Sequence, residues 1–181
     1  MTTDRVRHDQ TEVALRPDAD RVHEWASMER ACRYQPWGPN TREQTHAFVA
    51  DAARTWEQSD GQRRVFAAES ATLGVFGIGE IKRNTATCAE IAYAVHIDLW
   101  GRGLGTQIAR VLVSTAFANP AVERVQGTCD PRNVASAAVL RRAGFIFEGT
   151  LQHTVLVRDG WRDSAMLSVL RHEWTGQQPQ H

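Results

Sequence analysis

Trp100-Gly101-Arg102-Gly103-Leu104-Gly105-Thr106 is the stretch on which the reading of this chain turns. It lies between two patterns. Ahead of it Ala89–Ile97 reads as a strand; behind it Leu104, Ile108, Val111, Leu112 and Thr115 recur at helical spacing until Asn119-Pro120. Glycines at such a junction let the backbone take positive φ and come close to a ligand. The unpaired N–H groups of the helix's first turn then lie beside the positive end of its dipole. Together these make an anion site suited to a pyrophosphate, with Arg102 placed to add a guanidinium fork. The competing reading is a tight turn whose glycines serve packing alone. Two common phosphate motifs are excluded by particular residues. A P-loop needs Gly-Lys-Ser/Thr, and Lys82 is the only lysine. A dinucleotide turn needs G-x-G-x-x-G and an acid at the end of the next strand; this turn is G-x-G-x-G, and Glu123 precedes the next strand's apolar run.

Working outward, Thr11–Arg16 reads as a short strand ended by Pro17, and Asp18 caps a helix through Tyr34. The Pro36-Trp37-Gly38-Pro39 loop follows. Thr41 and Gln44 form a capping box for a helix reaching about Gln58. Arg64–Ala68, Gly74–Lys82 and Ala89–Ile97 predict an antiparallel meander, and Val122–Cys129 a further strand. Asn133 caps a helix to Ala143 that Gly144 ends. Phe145–Val157 and Trp161–Leu170 are strands joined at Asp159-Gly160. This order predicts a mixed α/β (α+β) sheet in one domain, residues 1–174, with a polar tail over 175–181.

Composition narrows the function. The 181 residues suit one domain, and 21 basic against 21 acidic side chains leave no net charge. That balance gives no footprint for sequence-independent nucleic-acid binding. Twenty of the 21 basic residues are Arg, read mainly as compositional bias. The charge is not uniform, because residues 97–142 carry six Arg against Asp98, Glu123 and Asp130. Cys32, Cys88 and Cys129 form neither a zinc pattern nor a disulfide framework, so a reducing cytoplasm is expected and no metal. The polar N-terminus does not read as a signal peptide, and no apolar run is long enough to span a membrane.

Three runs carry a more specific message: AEIAYAVHIDLWGRGLGTQIARVLVSTAF from Ala89, DPRNVASAAVLRRAGFIFEGTL from Asp130, and RDGWRDSAMLSVLRHEW from Arg158. In order and spacing they resemble the GNAT N-acetyltransferase superfamily, and most closely its RimJ/RimL-type branch. The resemblance is strong from Glu90 to Trp174 and loose before that. It implies a single-domain GNAT fold: a mostly antiparallel sheet with splayed central strands and flanking helices. It also implies acetyl-CoA as co-substrate and an amine acceptor, either a protein N-terminus or a small molecule, joined in a ternary complex. A non-catalytic acyl-CoA-binding module is the alternative, and a homodimer is compatible with either.

The resemblance also assigns residues. Val95 and Ile97 would present backbone N–H groups to the pantetheine arm and the developing oxyanion. Arg102, Gly103, Leu104, Gly105 and Thr106 would cradle the pyrophosphate. Asn133 would contact the CoA arm, and Ser136 corresponds to a hydroxyl proposed in this branch to protonate the leaving thiolate. Read alone, Asn133 and Ser136 are an N-cap and a first-turn serine. Leu140 stands where the wider superfamily often has a tyrosine. Strand alternation puts Glu90 on one face with Ala92 and Ala94, as an amine base beside small residues or as a plain strand-end carboxylate. Arg33, Tyr34 and Trp37 fall where the family builds its acceptor wall. Arg141 and Arg142 complement their helix's dipole or reach the 3′-phosphate, and His96 and His153 read as packing or surface residues.

Overall fold

The computed structural model describes residues 6–8, 11–14, 18–57 and 62–176. Among these described residues eight strands form one sheet: β1 (Val6–His8), β2 (Thr11–Ala14), β3 (Arg63–Ser70), β4 (Gly74–Arg83), β5 (Cys88–Val95), β6 (Arg124–Cys129), β7 (Ile146–Val157) and β8 (Gly160–Leu170). Their order across the sheet is β1-β2-β3-β4-β5-β6-β8-β7. Every neighbouring pair is antiparallel except β5 and β6, which are parallel. Those two central strands pair only from Cys88–Glu90 to Arg124–Gln126. Beyond Glu90, β5 stays on β4 as far as Val95, while β6 stays on β8 as far as Cys129. A splayed gap therefore opens in the middle of the sheet.

Helices cover both faces. Helix α4 (Leu104–Phe117) packs on β4 and β5 because β4 carries Gly77 and Gly79 on that side. A Cβ at Gly79 would meet Leu112 Cδ2 at 2.9 Å, and one at Gly77 would meet the Ala94 carbonyl oxygen at 2.6 Å and Ile108 Cδ1 at 3.1 Å. The missing side chains let Ile108 and Leu112 become fully buried in the main core, each worth about 1.5–3 kcal/mol. On the opposite face α1 (Ala19–Ala26) sits on β4 and α3 (Arg42–Glu57) on β3, with a small second core of Val22, Trp25 and Ala26. Helix α5 (Val134–Arg142) borders β6.

Several elements depart from the sequence-based expectation. The helix expected from Asp18 to Tyr34 is two: α1 ends at Ala26, and α2 (Glu29–Cys32) follows an extended Met28. Ser27 donates its hydroxyl back to the His23 carbonyl, and the Asn40 N–H and Cys32 thiol take the freed Ala26 carbonyl. That tertiary substitute makes the break affordable. The expected strand Ala89–Ile97 stops at Val95; Ile97–Leu99 is a 3₁₀ turn whose first N–H groups are served by His96 Nδ1 accepting from Asp98 N–H. The first strand holds as Thr11–Ala14, with Leu15 to Pro17, Gln58 and the end of the tail outside the described residues. The capping box is present: Thr41 N–H donates to Gln44 Oε1 (2.8 Å) and Gln44 N–H to Thr41 Oγ1 (3.2 Å).

Candidate active site

The glycine turn has the conformation that only glycine takes without cost. Gly101 and Gly103 have φ of +79° and +78°, and a Cβ on either would meet nothing within 4 Å. No neighbour would meet a Cβ at either, so these glycines answer to the left-handed backbone of the turn and not to a close contact. Gly103 is the N-cap of α4, no side chain caps that end, and its first turn holds no acidic residue. The early N–H groups and the exposed Arg102 thus face open space, while Thr106 is 8% exposed and anchors the turn in the core. Gly105 differs, because its Cβ would touch Val139 and the Tyr93 ring.

Beside this turn lies the gap between β5 and β6. His96 N–H bonds the Phe76 carbonyl, so alternate residues 92, 94 and 96 turn their N–H groups to β4. The N–H groups of Tyr93 and Val95 therefore face the gap. Val95 stands where the sequence placed it. Ile97 does not, since the chain has already left the strand; Tyr93 is the strand's other gap-facing donor. The Trp100 indole donates to the Val95 carbonyl at 2.9 Å and ties the glycine turn to the strand end.

Across the gap, Asn133 Oδ1 accepts from Ser136 N–H at 3.0 Å as the N-cap of α5. The buried Asp130 sets this turn: Arg132 grips it with side-chain and backbone donors. Burial pushes that carboxyl up, and the Arg132 bonds outweigh it and hold it below the usual range. Tyr93 Oη lies 3.0 Å from Ser136 Oγ and 3.2 Å from the Ser136 carbonyl oxygen. Burial pushes the phenol well above its ordinary value, only partly offset by Ser136. Leu140 is 2% exposed and packs over Gly127, so that position belongs to the core. Arg141 and Arg142 are exposed, and Arg110 donates to the Arg142 carbonyl, capping α5.

The other face of β5 borders a cavity of about 490 Å³. Trp25, Trp37 and Phe48 supply aromatic walls, and Ala92 and Ala94 the small floor that strand alternation predicted. Of the three expected acceptor residues only Trp37 lines it. Arg33 stacks on Tyr34 outside it, and the Tyr34 carbonyl accepts from Arg162. Glu90 is on the floor's face but one step before Ala92, about 7 Å along the strand. Asn84 and Gln126 both donate to its Oε2, at 2.8 and 3.2 Å. The carboxylate inside the cavity is Glu80, paired with Ala92 across the β4–β5 ladder and held bidentately by Arg63. Sequence reasoning missed Glu80 and Tyr93. The alternating glycines 77 and 79 were the available signal, since they fix which face of β4 carries Glu80.

A family model described as acetyltransferase (GNAT) domain matches residues 12–146. Probable N-acetyltransferase YjcK of Bacillus subtilis is 30% identical over 104 residues, which is 58% of each protein, so the chain spans little more than half of that relative's length. Two solved structures share the fold. RimL, the ribosomal L7/L12 alpha-N-protein acetyltransferase, aligns with a TM-score of 0.81 at 18% identity over 94% of this chain and 96% of its own. The microcin C7 self-immunity acetyltransferase MccE, in complex with acetyl-CoA and AMP, aligns with 0.79 at 16% identity over 90% and 93%.

Proposed function

The chain belongs to the GNAT acetyltransferase family, and we propose that it transfers an acetyl group from acetyl-CoA to a primary amine by direct attack in a ternary complex. One observation carries the reading: a single strand, β5, serves both partners. Its Ala92 and Ala94 floor the cavity, while its Tyr93 and Val95 N–H groups face the gap beside the glycine turn. An amine in the cavity and a thioester in the gap would meet across one strand's width.

Bound acetyl-CoA supplies the activated acyl carbon. The residues to hold it are at hand: the α4 N–H groups ahead of Thr106 and the Arg102 guanidinium would take phosphate, and Asn133 would border the arm. The Val95 N–H is the donor for the oxygen where charge develops. Glu90 takes the amine's proton through water, because it lies outside the cavity lining and is held at Oε2 by Asn84 and Gln126. Glu80, with both oxygens on Arg63, serves as a charged wall that orients the amine. The Ser136 hydroxyl is the donor for the leaving sulfur.

The acceptor is a primary amine on a body that fits the aromatic-walled cavity, whether a small molecule or a chain terminus. The test is release of free thiol from acetyl-CoA across a panel of small amines and N-terminal peptides. The expected result is turnover with at least one class, with Trp37→Ala raising KM for that amine and leaving acetyl-CoA affinity unchanged. Binding of acetyl-CoA with no thiol release from any amine would favour a binding module.

A further inference from the structure

We propose that Tyr93 is a positioning residue for Ser136, its phenol holding the Ser136 hydroxyl and deciding where that hydroxyl's single proton points. The proposal rests on the acetyl-transfer reading above, which puts the leaving sulfur in the gap beside Ser136.

Proton counting carries the argument. Tyr93 Oη is 3.0 Å from Ser136 Oγ and 3.2 Å from the Ser136 carbonyl, both within hydrogen-bond range. A phenol and a serine hydroxyl have one donor proton each, and a carbonyl only accepts. When the phenol donates to the carbonyl, Tyr93 Oη is left as an acceptor that competes with a ligand for the Ser136 proton. When the phenol donates to Ser136 Oγ, the Ser136 proton is free to point into the gap. It is then a stronger donor, because a hydroxyl that receives a hydrogen bond is polarised by it. Exchange between the two states needs only the rotation of two hydroxyl hydrogens. The heavy atoms are already pinned: Asn133 holds the Ser136 backbone, and the Tyr93 ring sits under Gly105. The buried Cys129 thiol also touches Ser136, but a thiol is a weak partner beside a phenol.

In the step served, the acyl carbon's bond to sulfur breaks as its bond to the amine nitrogen forms. The bonding pair leaves on sulfur as thiolate, and the amine's surplus proton goes to the base. Neither hydroxyl loses its proton; Ser136 donates a hydrogen bond to the sulfur and Tyr93 keeps it aimed there.

Calorimetry with CoA and desulfo-CoA tests this, repeated from about pH 8 to about pH 10.5 so that the CoA thiol, an alkyl thiol less acidic than cysteine at about 8.5, passes into its thiolate form. The proteins are the wild type, Tyr93→Phe, Ser136→Ala and the double variant. The preference for CoA over desulfo-CoA should fall roughly tenfold in each single variant and no further in the double, the worth of one hydrogen bond to a charged group. Desulfo-CoA affinity and KM for acetyl-CoA should not move, and kcat should follow the same non-additive pattern. Phenylalanine keeps the ring, so folding is retained, which an unchanged melting temperature will verify. Equal weakening of both ligands, an unaltered preference in Tyr93→Phe, or additive losses in the double variant would each overturn the proposal alone. A wild type that binds neither ligand would overturn the acetyl-transfer reading and the proposal with it.

Discussion

Gly103→Ala separates a glycine that serves a ligand from one that serves packing. Gly103 has φ +78° and ψ −5°, with nothing within 4 Å of an added Cβ. No clash results, so the cost is conformational: about 1–2 kcal/mol for an L-residue held in the left-handed region. That penalty falls on the turn conformation that presents the free N–H groups, and lowers its population by a factor of roughly 5–30. Without ligand, melting should drop by only a few degrees, since about 1 kcal/mol shifts Tm by roughly 2–4 °C at this size. Acetyl-CoA at about 100 times its Kd should stabilise the wild type by about 2.7 kcal/mol. A tenfold weaker site would keep only about half of that. Gly79→Ala is the control. Its Cβ would lie 2.9 Å from Leu112 Cδ2 and 3.0 Å from Leu112 Cδ1 in a filled core, so overpacking of about 1–3 kcal/mol should lower the ligand-free Tm while the ligand-induced rise survives. Thermal unfolding of the three proteins with and without acetyl-CoA is the assay. If Gly103→Ala keeps the full ligand-induced rise, the turn does not hold the ligand.

Two further outcomes are expected. Glu90→Gln should lower kcat and flatten the acid limb of the pH–rate profile with amine KM unchanged, whereas Glu80→Gln should raise amine KM and leave the profile's shape alone; the reverse pattern would exchange their roles. Glu148, bonded by Arg124 and then Ser168, has its carboxyl pulled down to about 2. A depressed folded-state value means stabilisation that is present above the unfolded value of about 4.3 and is lost as pH falls through about 2. The Glu148 side chain is 41% exposed, so screening limits the effect to about 0.2–1 kcal/mol. Urea unfolding of Glu148→Gln against the wild type should show that gap at neutral pH and its closure on acidification, and a gap independent of pH would disprove the linkage.

Much of the site was legible because its signals are local. The Thr41–Gln44 box, the Asn133 cap, the glycine turn and the Ala92–Ala94 floor each depend on residues within a few positions of one another, and each is found as expected. Errors arose where a distant partner decided. The first helix breaks at Ser27 because Asn40 and Cys32 take over the Ala26 carbonyl; Ile97 is a local exception, leaving the strand because its neighbour His96 caps a new turn. Arg33 and Tyr34 lie in the segment that leads to Trp37, but the Tyr34 carbonyl is tied to β8 by Arg162, more than a hundred residues away.

By itself the sequence determined the order of elements, the family, and the positions where backbone must take unusual conformations, because spacing and glycine chemistry are written residue by residue. Only the tertiary structure decided which carboxylate enters the cavity and which hydroxyl meets Ser136. Glu80 and Glu90 are each on a strand face that could serve; the β4–β5 register sets Glu80 against Ala92 in the cavity wall and Glu90 against Lys82, outside it. Tyr93 looks like one more strand aromatic until α5 packs beside β5 and brings Ser136 within 3.0 Å. Contacts between segments 43 residues apart are set by how helices pack on a sheet, and no local pattern records them.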